Sequence, residues 1–554
     1  MNSEDEKWDR LTAWMDDVSR GRWQRKNLQV EFRNVPGAGR GLFATHDIAP
    51  GSVILELPAT TLLHPRTIEA ADNDARAEGT PNPTSLHPSV FPQTITGKRD
   101  RREGRMTTTQ TLSLYLALNR RSSPQKGDSR FCPWSAYLAT LPTAFRPWHP
   151  LTWIIEPVRD APDSEHWPSL HHLVKTYVPV SALEKLLDML GRYREDVKMM
   201  ERGVSQSLEI SPDDSLRKAW SEVTQEDLLW AWLNVNTRTL YLDLEMPPIS
   251  KSAYAEPDDT GKRTRSESDS EQQNHTMGPL LDLANHTHLR IDHSESMSAD
   301  TIPVHLCSVH LVEEPSGGSL KNGAPQTRRA GPSSWRKRTL QMRAPKSTGL
   351  KKGDQAVFAY GPHSDQTLFS EYGFVPSDGQ NPWNEIRLDD HINAAWREFD
   401  DPSVVSLKSE VLAINGYLDD YTLHASPSPA HPSHRLLVAM RLMYAQIPEK
   451  ALQSYLDDPS SRIASPILQA FVDMTMGIND AVSDENEATV RTALRSICAS
   501  RLRNVDDKVA ALSAQPYPDA GPIVDAKRMV EQLWANDREI LKGVVGSLDD
   551  NVIF

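Results

Sequence analysis

Asp282-Leu283-Ala284-Asn285-His286-Thr287 carries more of this chain's meaning than any other hexapeptide in it. It follows an apolar run, Gly278-Pro279-Leu280-Leu281, and the single Asp interrupts that run. Side by side, Asn285 and His286 offer an amide and an imidazole suited to a purine edge or an amino-acid zwitterion. The plainer alternative is a capping Asn and a hydrogen-bonded His at a strand end. Asn285-His286-Thr287 also has the form of a glycan acceptor, which the cysteine usage below sets aside. The hexapeptide gains its force from two partners remote in the chain.

Upstream stands Gly39-Arg40-Gly41-Leu42-Phe43-Ala44. Glycines let backbone groups approach a ligand with no Cβ between. The spacing is not G-x-G-x-x-G, and the segment lies between strand-like runs, which argues against a Rossmann dinucleotide site. An ordinary hairpin turn is the competing explanation. Downstream, the turn Lys351-Lys352-Gly353-Asp354 leads to Tyr360-Gly361, and Glu371-Tyr372-Gly373-Phe374 follows. Two tyrosines about a polar turn can line a narrow channel, or can be half-buried core residues.

With 554 residues the chain exceeds one core and divides into two or three domains. Hydrophobic residues at 38% and charged residues at 25% fit a globular protein with long polar loops. A formal charge of -14 disfavours non-specific nucleic-acid binding and suits a basic partner. The acidic start, Asn2-Ser3-Glu4-Asp5-Glu6, is unlike a secretory signal, and no apolar run reaches 18 residues, so no membrane span is expected. Cys132, Cys307 and Cys498 are scattered, which fits a reducing compartment and offers no thiolate metal site.

Trp8, Leu11, Trp14 and Met15 predict a leading helix over residues 8 to 20. Strands are expected around Val30-Phe32, Val53-Leu57, Ile302-Leu306, Thr339-Met342 and Ala356-Tyr360. Polar loops are expected over 66–105, 250–276 and 313–338. Helices are expected from Leu112, at Leu228-Trp232-Val235, at His434 to Leu442 and at Asn486 to Leu502.

Gly39-x-Gly41-Leu42-x-Ala44, Asp282-x-x-Asn285-His286, Gly353-Asp354 to Tyr360-Gly361, and Tyr372-Gly373-Phe374 resemble the successive motifs of SET domains. Trp134-Ser135-Ala136-Tyr137-Leu138-Ala139-Thr140-Leu141-Pro142 resembles a segment of the helical insert in the Rubisco large-subunit and ribosomal-protein lysine methyltransferase group. Trp230-Ala231-Trp232-Leu233-Asn234-Val235-Asn236-Thr237-Arg238 resembles the last helix of that insert. Histone-type relatives usually carry zinc-binding cysteine clusters, which three scattered cysteines cannot build. The chain departs from the usual pattern at Thr287, where Ser is common, and at Ser364-Asp365, where Ser-Asn is common.

The resemblance implies an α+β, β-rich SET fold with a pseudoknot, a helical insert and a helical C-terminal substrate-binding domain. Its parts would be an N-terminal extension at 1–21, a SET domain at 22–376 with the insert at about 106–244, and the C-terminal domain at 382–554. It implies S-adenosylmethionine as cofactor and a protein lysine as acceptor, on a ribosomal or other non-histone protein. A histidine acceptor and a non-catalytic binding protein are the alternatives.

Carried over by position, the same resemblance assigns the cofactor to Gly41, Leu42, Phe43, Arg238, Asp282, Asn285, His286, Tyr372 and Phe374. It gives Tyr360 the catalytic role, with cofactor and peptide entering from opposite faces. Apolar Leu240 would suit the wall of a lysine channel. Met106 to Gln110 are further cofactor-contact candidates. Neither a metal, a nucleic acid nor a membrane is expected, and a cytoplasmic or nuclear monomer is.

Overall fold

The computed structural model describes residues 3–35, 39–78, 106–122, 132–158, 164–242, 244, 275–287, 306–313, 334–376, 381–459, 463–550 and 552. Helix α1 (Ser3–Val18) leads into an antiparallel hairpin of β1 (Val30–Val35) and β2 (Gly39–Ala44), with Val35 opposite Gly39 and Val30 opposite Ala44. Gly39 adopts φ +74, a left-handed value that glycine takes without strain. A second antiparallel sheet has the order β3 (Val53–Pro58), β7 (Arg338–Arg343), β6 (Ser308–Glu313), numbering β4 as Thr239–Tyr241 and β5 as His275–Met277. β4 and β5 pair with each other, Leu240 opposite Thr276.

Residues 356–360 form no regular strand. They cross between two segments and bond to both. Ala356 N–H donates to the Leu42 carbonyl at 2.8 Å, and Phe358 N–H to the Asn285 carbonyl at 3.2 Å. Thr287 N–H returns to the Phe358 carbonyl at 3.2 Å, a parallel bridge between His286 and Phe358. Three remote segments are thereby laced together, and the alternation expected of a strand is broken where the chain changes partner.

The polar loop expected over 66–105 is in part a helix, α2 (Pro65–Ala77). Pro65 sits at the first helical position, where its fixed φ and missing N–H cost nothing. Ile68 and Asp72 are buried on the inner face, and the polar composition of the other face hides the periodicity. Residues 79–105 lie outside the described residues, as do 302–305 of the strand expected at 302–306. Arg338, the last residue of the third expected loop, instead opens β7, fully buried, and donates to the Leu244 carbonyl at 2.8 Å.

The insert begins with α3 (Thr108–Asn119), closed by a reciprocal cap between Thr107 and Gln110. It packs on the helix Gln225–Arg238, whose own cap pairs Thr224 with Asp227. Asp227 also takes Arg120 and Arg121, each at 2.9 Å. Beyond Pro382, β8 (Glu385–Arg387), β9 (Thr422–His424) and β10 (His431–Pro432) form a small sheet beside helices, of which Asp484–Ser513 and Pro522–Asp549 pack along each other.

Asp365 sits at the join between these parts, 2% exposed. Its Oδ1 accepts from Asn381 at 2.8 Å, and its Oδ2 accepts from Asn384 at 2.8 Å and from Asn536. The Asp365 N–H donates to Asn384 Oδ1 at 2.8 Å. An Asn here would turn an amide N–H2 toward amide donors, so this departure from the usual Ser-Asn has a physical reason. Among the described residues no helix is long and apolar enough to cross a membrane, and no group of three His, Cys, Asp or Glu is placed to hold a metal.

Candidate active site

A cavity of about 420 Å³ opens where the β1–β2 hairpin, the end of the helix Gln225–Arg238, and the crossing segments meet. Arg238, Asp282, Asn285, Tyr360, Tyr372 and Phe374 all line it. Six expected site residues from four separate stretches thus face one space.

Arg238 ends its helix and donates from Nη1 to the Asp282 carbonyl at 2.9 Å, with the Asp282 carboxylate at 3.4 Å. Tyr137, from the insert motif, donates to the same carboxylate at 3.1 Å. Burial raises the Asp282 pKa, against the opposing pull of Arg238 and Arg40. Those two cations and the Tyr137 hydroxyl favour the charged form against the burial.

Tyr360 donates its hydroxyl to the Ala284 carbonyl at 3.0 Å, and its N–H to His286 Nδ1 at 3.1 Å. The His286 and Tyr360 rings lie 5.1 Å apart. His286 does not line the cavity; it fixes the backbone of the tyrosine that does. Burial, opposed by Arg238 and reinforced by Asp282, pushes the Tyr360 phenol up to about 12. At neutral pH the hydroxyl is a donor.

Tyr372 closes a π-helical turn, Leu368–Tyr372, and its ring is 5.1 Å from that of Tyr360. The turn is held from outside. The Glu371 carboxylate pairs with Arg192 and accepts from Asn236 at 3.0 Å, and its carbonyl takes Asn236 at 3.0 Å and His149 Nε2 at 3.3 Å. Single π turns recur at functional sites because they aim side chains off the regular spiral. Gly373 then takes φ +79, and a Cβ there would stand 2.9 Å from His149 Cδ2. Beyond the turn lies a second cavity of about 330 Å³, which Glu371 lines with Gln366, Ser370 and Glu184.

Three expectations shift. Of β2, Gly39 and Arg40 line the cavity, whereas Leu42 is fully buried in the core and Phe43 carries the Arg33 guanidinium 5.2 Å over its ring. As neighbours in a strand they point to opposite faces, Leu42 into the core and Phe43 toward Arg33. Gly41 instead opens a gap. A Cβ there would fall 2.4 Å from Gln355 Nε2 and 3.1 Å from Asn285 Nδ2. Met106 packs against Gly203, and Gln110 donates to Asp196 at 2.8 Å, so neither lines the cavity. Leu240 does not line it either. Tyr137 is marked only as part of the insert motif, and Gln355 has no local signal in sequence: its neighbours are remote in the chain.

Asn285 Nδ2, Gln355 Nε2 and Arg238 Nε are buried donors without a hydrogen-bond partner. Such groups cost about 1–3 kcal/mol each when left unmade. Asn285 and Arg238 line the cavity, and such donors among its aromatic walls fit S-adenosylmethionine, which brings purine nitrogens, ribose hydroxyls and a carboxylate to accept them.

The fold is the SET fold, and residues 400–541 match the family model "Rubisco LSMT substrate-binding". The crystal structure of the SET domain of LSMT bound to lysine and AdoHcy is similar, with a TM-score of 0.54, 16% identity, and 99% of this chain and 92% of that one covered. So is Rubisco LSMT bound to sinefungin and monomethyllysine, with a TM-score of 0.52, 14% identity, and coverage of 100% and 92%. Among sequences, ribosomal lysine N-methyltransferase set11 of Schizosaccharomyces pombe is 24% identical, covering 76% of this chain and 72% of that one. SET domain-containing protein 4 of Homo sapiens is 23% identical, covering 69% of each.

Proposed function

We infer that this protein is an S-adenosylmethionine-dependent protein-lysine N-methyltransferase acting on a ribosomal or other non-histone protein. The observation that carries this is the convergence of buried, unpartnered donors on Asn285 and Arg238 with the Tyr360 hydroxyl at one cavity. Support comes also from the Rubisco LSMT substrate-binding domain, which gives the chain a surface for a protein partner. The ribosomal assignment draws on the likeness to set11.

When bound, S-adenosylmethionine supplies an electrophilic methyl group on a sulfonium. Arg238, Asp282 and Asn285 hold it, with the backbone around Gly39 to Gly41 at its amino-acid end and Tyr372 and Phe374 along its aromatic side. A free lysine has a pKa near about 10.4, so roughly one side chain in a few thousand is neutral at pH 7. Burial beside a sulfonium charge disfavours the ammonium and so favours the neutral amine that the displacement needs. Tyr360, kept protonated by burial, acts by orientation and electrostatics and does not receive the proton. His286 and the Glu371 clamp fix the two tyrosines. The protein works as a monomer in the cytoplasm or nucleus.

The test is incubation of the purified protein with cell lysate and labelled S-adenosylmethionine, followed by mass spectrometry of the labelled band. Methyl-lysine on a ribosomal or other non-histone protein is the expected product. Methyl-histidine, or no label at all, overturns the assignment.

A further inference from the structure

Two side-chain amides beside the cofactor cavity share one small space. Asn285 Nδ2 and Gln355 Nε2 are buried donors that bond to nothing among the described residues. Asn285 lines the cavity, and Gln355 stands one layer further in. A Cβ on Gly41 would fall 2.4 Å from the Gln355 nitrogen and 3.1 Å from the Asn285 nitrogen. Both donors therefore lie about one hydrogen bond's length from a single point. The backbone fixes them there. Phe43 and Gln355 form an antiparallel bridge, and Ala44 N–H donates to the Asp354 carbonyl at 2.9 Å. Ala356 N–H donates to the Leu42 carbonyl and Phe358 N–H to the Asn285 carbonyl.

Two amide donors on a fixed frame complement a group that offers two acceptor oxygens. Neither amide can escape its desolvation cost by moving the chain, so an arriving acceptor relieves both at once. S-adenosylmethionine has one group with two anionic oxygens side by side, the carboxylate of its methionine part. Hydrogen bonds to an ionised acceptor are about twice as strong as neutral ones. Gly39 and Asn34, from the same hairpin as Gly41, line the adjoining end of the cavity.

We propose that Gln355 is a further cofactor-site residue, clamping the cofactor carboxylate together with Asn285 at the gap that Gly41 leaves. This rests on the methyltransferase assignment above. It also gives Gly41 its reason, because a Cβ would take up the space in which the two amides meet their acceptor.

The test measures binding by calorimetry, without turnover, on the full chain. Wild type, Gln355→Glu and Gln355→Met are each titrated with S-adenosylhomocysteine and with its decarboxylated analogue. Gln355→Glu keeps the side chain's size but trades a donor for an anion, so it should weaken S-adenosylhomocysteine more than about tenfold. Gln355→Met removes the donor without adding charge and should weaken it about fivefold. The decarboxylated analogue should bind Gln355→Met as it binds wild type, to within about twofold, and Gln355→Glu no more weakly than wild type. Thermal melts of the unliganded variants report on folding, and where Gln355→Glu unfolds early, Gln355→Met carries the test. Unchanged S-adenosylhomocysteine affinity overturns the proposal, since a side chain that merely accepts from Asn285 would be served as well by Glu. Equal weakening of both ligands overturns it too, and would make Gln355 a support for Asn285 alone. If wild type binds neither ligand, the methyltransferase assignment itself falls.

Discussion

Replacing Gly373 by Ala tests how tightly the tyrosine-bearing turn is set. Two penalties add at this position. The left-handed φ of +79 costs a residue with a Cβ about 1–2 kcal/mol. The new Cβ also meets His149 Cδ2 at 2.9 Å, Cγ at 3.4 Å and Cα at 3.5 Å. His149 has little freedom to yield. It is 2% exposed, its Nδ1 accepts from Leu151 at 3.2 Å, and its Nε2 faces the Glu371 carbonyl at 3.3 Å. Overpacking of this kind costs about 1–3 kcal/mol, so the total is about 2–5 kcal/mol. Gly353 supplies the control in the same domain, because its φ is +89 but nothing lies within 4 Å of its Cβ position. Gly353→Ala should therefore lose only the conformational part, about 1–2 kcal/mol. Urea unfolding followed by tryptophan fluorescence measures both, and methyl transfer should fall further in Gly373→Ala because Tyr372 and Phe374 flank it. Equal destabilisation of the two variants would show that His149 does not buttress the turn.

Tyr360→Phe should keep S-adenosylhomocysteine affinity within a few-fold while turnover drops at least about tenfold, as loss of one oriented donor requires; normal turnover on the true substrate would remove Tyr360 from its role. Lys408 is 1% exposed and donates to Asp400 at 2.6 Å, the Met443 carbonyl at 2.7 Å and the Ala445 carbonyl at 2.9 Å. Lys408→Met strands those acceptors and should cost about 3–5 kcal/mol in urea unfolding; a loss under about 1 kcal/mol would contradict the packing described. Burial pushes Asp537 up to about 7 from 3.8, against the nearby Arg501. The native state then binds the extra proton, so this group's contribution to stability falls as pH rises from about 4 to about 7 and is level above. Asp537→Asn should flatten that part of the pH profile and gain stability at pH 8 relative to wild type; parallel profiles would refute it.

Much of the site was legible because its chemistry sits in short segments of fixed composition. Asp282, Asn285, Tyr360, Tyr372, Phe374 and Arg238 each belong to such a segment, and all line the cavity. Local pattern also found the helices at Thr108–Asn119, Gln225–Arg238 and His434–Met443, whose apolar positions repeat at helical spacing. Composition misled at α2, where an exposed polar face outweighs Ile68 in any average. Alternation misled at 356–360, because a segment that exchanges partners midway keeps the look of a strand without a continuous ladder. Nothing local marks Gln355. It draws its significance from Gly41, more than fifty residues away, and only folding supplies that neighbour.

Asp365 lies seven residues ahead of Tyr372 and is gripped by amides from the C-terminal side. Tension on the helix Pro522–Asp549, when that domain grasps a protein, reaches the tyrosine turn through one carboxylate and Asn536. Retargeting such an enzyme by grafting on a foreign recognition module would therefore require the graft to bring matching asparagines, or the rivet to be rebuilt with it.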